Sequence, residues 1–266
     1  MANLVLATPI LSDAATLAAG PSAAALPVTN LQTMQPGQVW RATDLASVYV
    51  TADLGAAAAI TLIALLSTNA SSTGTWRARA AASAAAVTSS PAYDSGSVAL
   101  WATAGLSNWP RTDAILMPAA AQTYRYWRID VSDGSNPAGY FDAGRLYLSA
   151  AWQPTINISF GWSLRWVDDS PIQRSVGGQA YPLRREPRRV LDCRLDFLSE
   201  AEMYANAFEI DRRRGRARDV LAIRDPADTA HRQQQTVYGL QQDTPPIVNP
   251  NFDIFSKRIL VEELLP

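Results

Sequence analysis

The sequence predicts a mainly β protein, a β-sandwich followed by a second β-rich domain with one main α-helix. Three observations carry this. Short apolar runs recur between turn signals over residues 1–153, the pattern of a sandwich. One of them, Tyr124-Arg125-Tyr126-Trp127-Arg128-Ile129-Asp130-Val131, alternates strictly and is followed by the dense turn signal Asp133-Gly134-Ser135-Asn136-Pro137. The charge density then changes: residues 1–150 hold 7 Arg and 8 acidic residues, whereas residues 151–266 hold 16 basic and 16 acidic ones. Trp152-Gln153-Pro154 lies at the shift, so the expected division is 1–153 and 154–266.

In the alternating run, Trp127, Ile129 and Val131 share a face and enter a core together. Arg125 falls on the same face, where an unpaired charge would be very costly. It must sit at the strand's entrance or find a carboxylate. Before it come Ser47 to Gly55, the buried-strand pattern Ile60 to Leu66, and Thr75 to Ala81. Ala114 to Met117 and Gly144 to Ser149 complete the sandwich. Ser, Thr and Gly punctuate the alanine runs near 56–59 and 80–86, which favours strands and loops over helix.

The second domain opens with two expected strands, Ile156 to Trp166 and the run Val190 to Phe197. Ser199-Glu200-Ala201-Glu202 reads as an N-cap with an acidic first turn, and Arg212-Arg213-Arg214-Gly215 as a basic last turn with its stop. The helix is expected near 199–214. Asp219 to Ile223, Gln235 to Leu240 and Phe255 to Glu262 follow as strands.

Composition narrows the function. Hydrophobic residues make up 48% and charged ones 18%, which suits a packed core. A net charge of −1 gives no pull toward nucleic acid or anionic membrane. No run approaches the roughly 20 apolar residues of a membrane span. The N-terminus has no basic residue before its apolar stretch and reads as ordered mature sequence. Cys193 is the single cysteine, so no intramolecular disulfide is possible, and it reads as a buried structural thiol.

No catalytic motif is present: there is no Gly-x-Ser-x-Gly, phosphate loop or His-Glu-x-x-His. The single histidine, His231, reads as a solvated loop residue. Asp168-Asp169 and Asp225/Asp228 lack calcium-loop spacing, so no metal or other cofactor is expected. Asp133 and Asp142 flank the 134–140 loop and are the carboxylate pair to weigh for glycoside hydrolysis, although turn formation accounts for Asp133. Catalysis is the weaker reading.

Binding residues are expected in the Gly-, Ser-, Asn- and Pro-rich segment Ser95 to Arg111. Trp101 and Trp109 would supply stacking faces for sugar rings, and Asn108 and Arg111 hydrogen bonds to hydroxyls. The competing reading is that the tryptophans pack the loop against the sandwich. Arg184, Arg185, Arg188, Arg189, Arg212, Arg213 and Arg214 are the candidates for bidentate pairing with carboxylates of a neighbouring subunit. Lys257 is the only lysine.

In order, Asn30-Leu31, Trp40, Asp53-Leu54-Gly55, Thr75-Trp76-Arg77-Ala78-Arg79, Arg125-Tyr126-Trp127-Arg128-Ile129 and Gly144-Arg145-Leu146 resemble the discoidin (coagulation-factor C-type) family. The resemblance covers about half the chain and implies a jelly-roll β-sandwich, with loops at one end that bind glycans, lipids or proteins. Many extracellular members close this domain with a terminal Cys pair, which is absent here. Some hold a structural calcium in a loop. From about residue 155 the chain resembles a siphophage tail-tip component. A tryptophan-rich strand and an Arg-Arg-rich strand precede a helix ending in Arg-Gly, an Asp225-Pro226 turn, a Tyr238-Gly239 strand and a C-terminal strand. Distal tail proteins carry such a β-rich belt with one helix beside a carbohydrate-module-like sandwich, in the reverse order.

Together these imply a non-enzymatic virion protein of the tail tip or baseplate, assembled in the host cytoplasm as a homo-oligomeric ring. Its implied partners are the tail tube, hub and tape-measure proteins, with a host-surface glycan on the displayed module. The alternatives are a stand-alone carbohydrate-binding protein and, behind it, a glycan-degrading enzyme.

Overall fold

The strand expected at the centre of the sandwich is the one around which it is built. The structure is a computed structural model and describes residues 2–106 and 109–266. The chain is mainly β, as the sequence predicts, and divides into two units. The first comprises residues 1–153 with 223–234 and Pro266, and the second residues 154–222 and 235–265. The return of 223–234 to the first unit is a feature that a simple division at 154 does not contain.

The first unit runs through β1 (Val5–Leu6), β2 (Thr16–Ala19), β3 (Trp40–Ala42), β4 (Val48–Ile60), β5 (Leu62–Thr68), β6 (Thr75–Ala81), β7 (Tyr93–Asp94) and β8 (Val98–Ala99). It continues through β9 (Thr112–Leu116), β10 (Gln122–Ser132), β11 (Phe141–Ala143) and β12 (Arg145–Ser149). One sheet has the order β2-β4-β10-β6-β7 with β8 on β6, and another the order β12-β5-β9, while β3 pairs β11. Their facing side chains form one core that includes Trp40, Trp76, Trp127, Ile129, Ile63, Leu65, Leu146 and Leu148. The alanines at 56–59 lie within β4, not in a helix.

Trp127, Ile129 and Val131 enter this core as expected. Arg125 does not share their face. The β10–β4 register shifts between Tyr124 and Tyr126. Between these pairs β4 has the four residues 54–57 against one on β10, and this irregularity resets the alternation, so Tyr124 packs on the core and Arg125 reaches the outer face. There it meets the carboxylate it needs: Nε and Nη2 donate to Asp53 at 2.6 and 2.8 Å. The Arg125 bond, with the Gly55 backbone N–H, holds Asp53 down at about 2.

The second unit contains β13 (Ser163–Val167), β14 (Ile172–Arg174), β15 (Ala180–Pro182), β16 (Arg188–Leu198), β17 (Asp219–Ile223, all but its last residue), β18 (Thr236–Gln241), β19 (Val248–Asn251) and β20 (Ile254–Glu263). Its sheet runs β17-β18-β20-β16-β13, with β19 on β20. Strand β13 is far shorter than the alternation from Ile156 predicts, because 155–162 forms turns and bends and meets the sheet through Ser159 N donating to Arg194 O at 2.8 Å. Alternation marks a strand only where a neighbour completes its ladder. Gly239 lets β18 approach β20 closely, since a Cβ there would lie 1.8 Å from Glu262 O.

The helix over 200–213 begins with the expected capping box, Ser199 Oγ accepting from the Glu202 N–H while the Glu202 carboxylate accepts from Ser199. Its middle, Met203–Ala207, widens to π geometry. Gly215, at φ +51°, follows its end. No helix among the described residues is long and apolar enough to cross a membrane.

Cys193 is buried in β16, and desolvation pushes its thiol up to about 12. The native protein is therefore expected to resist a chromogenic disulfide reagent at pH 8 and to react stoichiometrically in denaturant. Rapid labelling of the folded chain would contradict this burial.

Candidate functional site

The site starts from two polar residues that tie loops together at one end of the sandwich. After β10 the chain turns at Asp133, whose carbonyl accepts from Asn136 N at 3.0 Å. This is the turn role its sequence context suggests. Its carboxylate accepts from Ser71 N and Asn136 Nδ2, both at 2.9 Å, and from Ser71 Oγ. Asn69, just beyond β5, donates to Tyr140 O at 3.0 Å and accepts from Asp142 N at 2.9 Å. The loops after β5 and β10 are thereby fixed to each other.

That lock positions Asp142, whose side chain is 1% exposed. One oxygen accepts from Arg41 Nη2 at 2.9 Å and the other from Arg111 Nη1 at 2.8 Å. Arg111 Nη1 also donates to Ser67 O at 2.9 Å. The Arg41 guanidinium lies 3.7 Å from the centroid of the Tyr140 ring. Two guanidiniums thus converge on one buried carboxylate. Both remain reachable, with side chains 32% and 26% exposed.

The structure brings Arg111 into this cluster, where its Nη1 is held by the Asp142 carboxylate and Ser67 O. Trp101 is half-buried, packs on the core and donates Nε1 to Ala70 O at 2.9 Å, the packing role weighed against stacking. Trp109 is half-buried two residues before Arg111, and Asn108 lies outside the described residues. Arg41, Tyr140 and Asp142 complete the site without a sequence signal that groups them. Asp133 and Asp142 do not form a hydrolytic pair, because each is buried and held by the donors above. His231 is exposed beside Asp228, 3.2 Å away.

A separate groove of about 890 Å³ runs beside β9, between Trp101, Ala102, Leu116 and Met117 on one side and Ala227 and Ala230 on the other. The segment 223–234 borders it and is held to β9 by Gln233, which accepts from Asp113 N at 2.9 Å and donates to the Asp113 carboxylate at 3.0 Å.

Most of the arginines expected to reach a neighbouring subunit have a carboxylate of their own chain beside them. Arg188 pairs with Asp169 and Glu262, and Arg189 with Glu263. Arg212 and Arg213 both hold Glu209 at 2.7 Å, which keeps that carboxyl down at about 2. Arg214 lies 3.8 Å from Asp219. Arg184 and Arg185 are exposed, Arg184 being 4.0 Å from Glu186. Glu209 lies one helical turn before Arg212 and Arg213 in the sequence, whereas Glu262 and Glu263 reach Arg188 and Arg189 only through the pairing of β16 with β20.

No protein-family model matches the sequence, and no curated protein does. Among solved structures, the chain is similar to the lectin domain of lectinolysin complexed with Lewis B antigen. The TM-score is 0.38 at 10% identity, covering 53% of this chain and 96% of that one. It is similar to the family 32 carbohydrate-binding module of C. perfringens NanJ in complex with galactose, with TM-score 0.41, 10% identity and 55% and 99% coverage. It is also similar to SpGH29, with TM-score 0.40 and 12% identity over 53% of this chain. There it spans 28% of that chain's length.

Proposed function

We propose that the chain is a structural component of a bacteriophage tail tip or baseplate. The second unit would join copies into a ring, and the first would display its loop end toward a host-surface glycan. The resemblance of the residues from about 155 onward suggests the tail tip. One physical observation carries the assembly role. Every exposed large apolar side chain among the described residues belongs to the second unit, including Phe160, Trp166, Val176, Tyr181 and Phe252. Exposed apolar side chains confined to one unit favour an interaction role for that unit.

The hairpin β14–β15 belongs to this surface. All residues of both strands are exposed, and the two strands form a sheet of their own. An isolated two-stranded hairpin is marginal in water, so this one gains its stability by packing on something. Apolar contact, more than the chain's paired arginines, is then the cohesive term. A ring requires heterologous contacts whose rotation closes.

Mass photometry of the purified chain tests the reading. A defined oligomer larger than a dimer is expected, and replacing Ile172, Val176 and Tyr181 by Ser should dissociate it. A clean wild-type monomer that binds glycans would support the stand-alone carbohydrate-binding alternative and overturn the ring.

A further inference from the structure

We infer that Arg41 and Arg111 form a receptor for a carboxylate carried on a sugar. The inference rests on the reading that the loop end of the first unit meets a surface glycan, and names the chemistry it selects. Asp142 spends one oxygen on each guanidinium, which aligns the two and cancels one of their two charges. Asp142 is too deeply buried to be reached by a ligand, while both arginines are accessible. Among the described residues, neither Arg41 Nη1 nor Arg111 Nε and Nη2 donates to a protein acceptor.

Guanidinium forks match planar carboxylates, and charge-assisted bonds of this kind are about twice as strong as neutral ones. Stacking on Tyr140 restrains Arg41 before any ligand arrives.

The test is calorimetric titration of the full chain with methyl glucuronide, its uronamide and methyl glucoside. The uronate is expected to bind, with the amide and the neutral sugar weaker by about tenfold or more, the loss of a charged hydrogen bond. Arg41→Gln and Arg111→Gln should each abolish that preference. The amide differs from the uronate in charge but hardly in shape, so the ligand series decides even where a variant does not fold. Equal binding of all three would overturn the carboxylate inference and leave glycan contact standing. Binding of none would overturn both, while the ring is judged separately by the oligomer mass.

Discussion

Replacing Trp127 by Ala is expected to destabilise the first unit by about 3–5 kcal/mol, the range for removing a large aromatic from a packed core. Trp127 is 1% exposed in the centre of β10, with β4 on one side and β6 on the other. Its ring lies 5.9 Å from that of Tyr93, and Nε1 donates to Tyr124 O at 3.3 Å across the bulge. The substitution therefore opens a cavity between two sheets and also removes the bond that steadies the register shift. Domains are marginally stable, so a loss of this size takes most of what is available. Urea unfolding followed by circular dichroism should show an early transition. Trp127→Phe, which keeps most of the apolar volume, should lose clearly less. An unchanged midpoint for the alanine variant would mean that β10 is not the strand around which the core is built.

How much of this was legible depends on the range of the interaction. Trp127, Ile129 and Val131 announce a strand because the period of two is written in adjacent residues. The helix is legible for a similar reason, with Ser199, Glu202 and Gly215 all lying within a turn of its ends. Arg125 marks the limit. Its sequence position says that it needs a carboxylate, but the bulge that turns it outward and the Asp53 that receives it depend on pairing across 72 residues. The candidate site is less legible still. Arg111 could be picked from its loop, whereas Arg41 and Asp142 are 101 residues apart and meet because β3 pairs β11. Nor does any local pattern say that 223–234 leaves the second unit to border β9, an arrangement fixed by the side chain of Gln233. Period and capping are local, while ion pairs and edge coverage belong to the topology.

Glu263→Ala is expected to cost about 3–5 kcal/mol, because it removes the carboxylate that three Arg189 donors share in a largely buried site. The Arg189 side chain is 5% exposed; its backbone N–H and its Nε donate to Glu263 Oε2 at 2.8 and 3.0 Å, and its Nη2 donates to the other oxygen. Both residues belong to the central β16–β20 pair of the second unit, so the loss should appear as a lower unfolding midpoint. Replacing both residues by Met should recover most of it, since a buried pair exchanged for apolar groups of similar volume is often neutral. The same variants separate two roles for the arginine cluster. If Arg189 serves the fold of its own chain, Glu263→Ala lowers the midpoint, and the double Met variant keeps both stability and oligomer mass. If it bridged subunits, the double variant would stay folded but come apart. The burial of Arg189 favours the first outcome, and the exposed apolar residues around β14 and β15 are then where the proposed ring contacts would form.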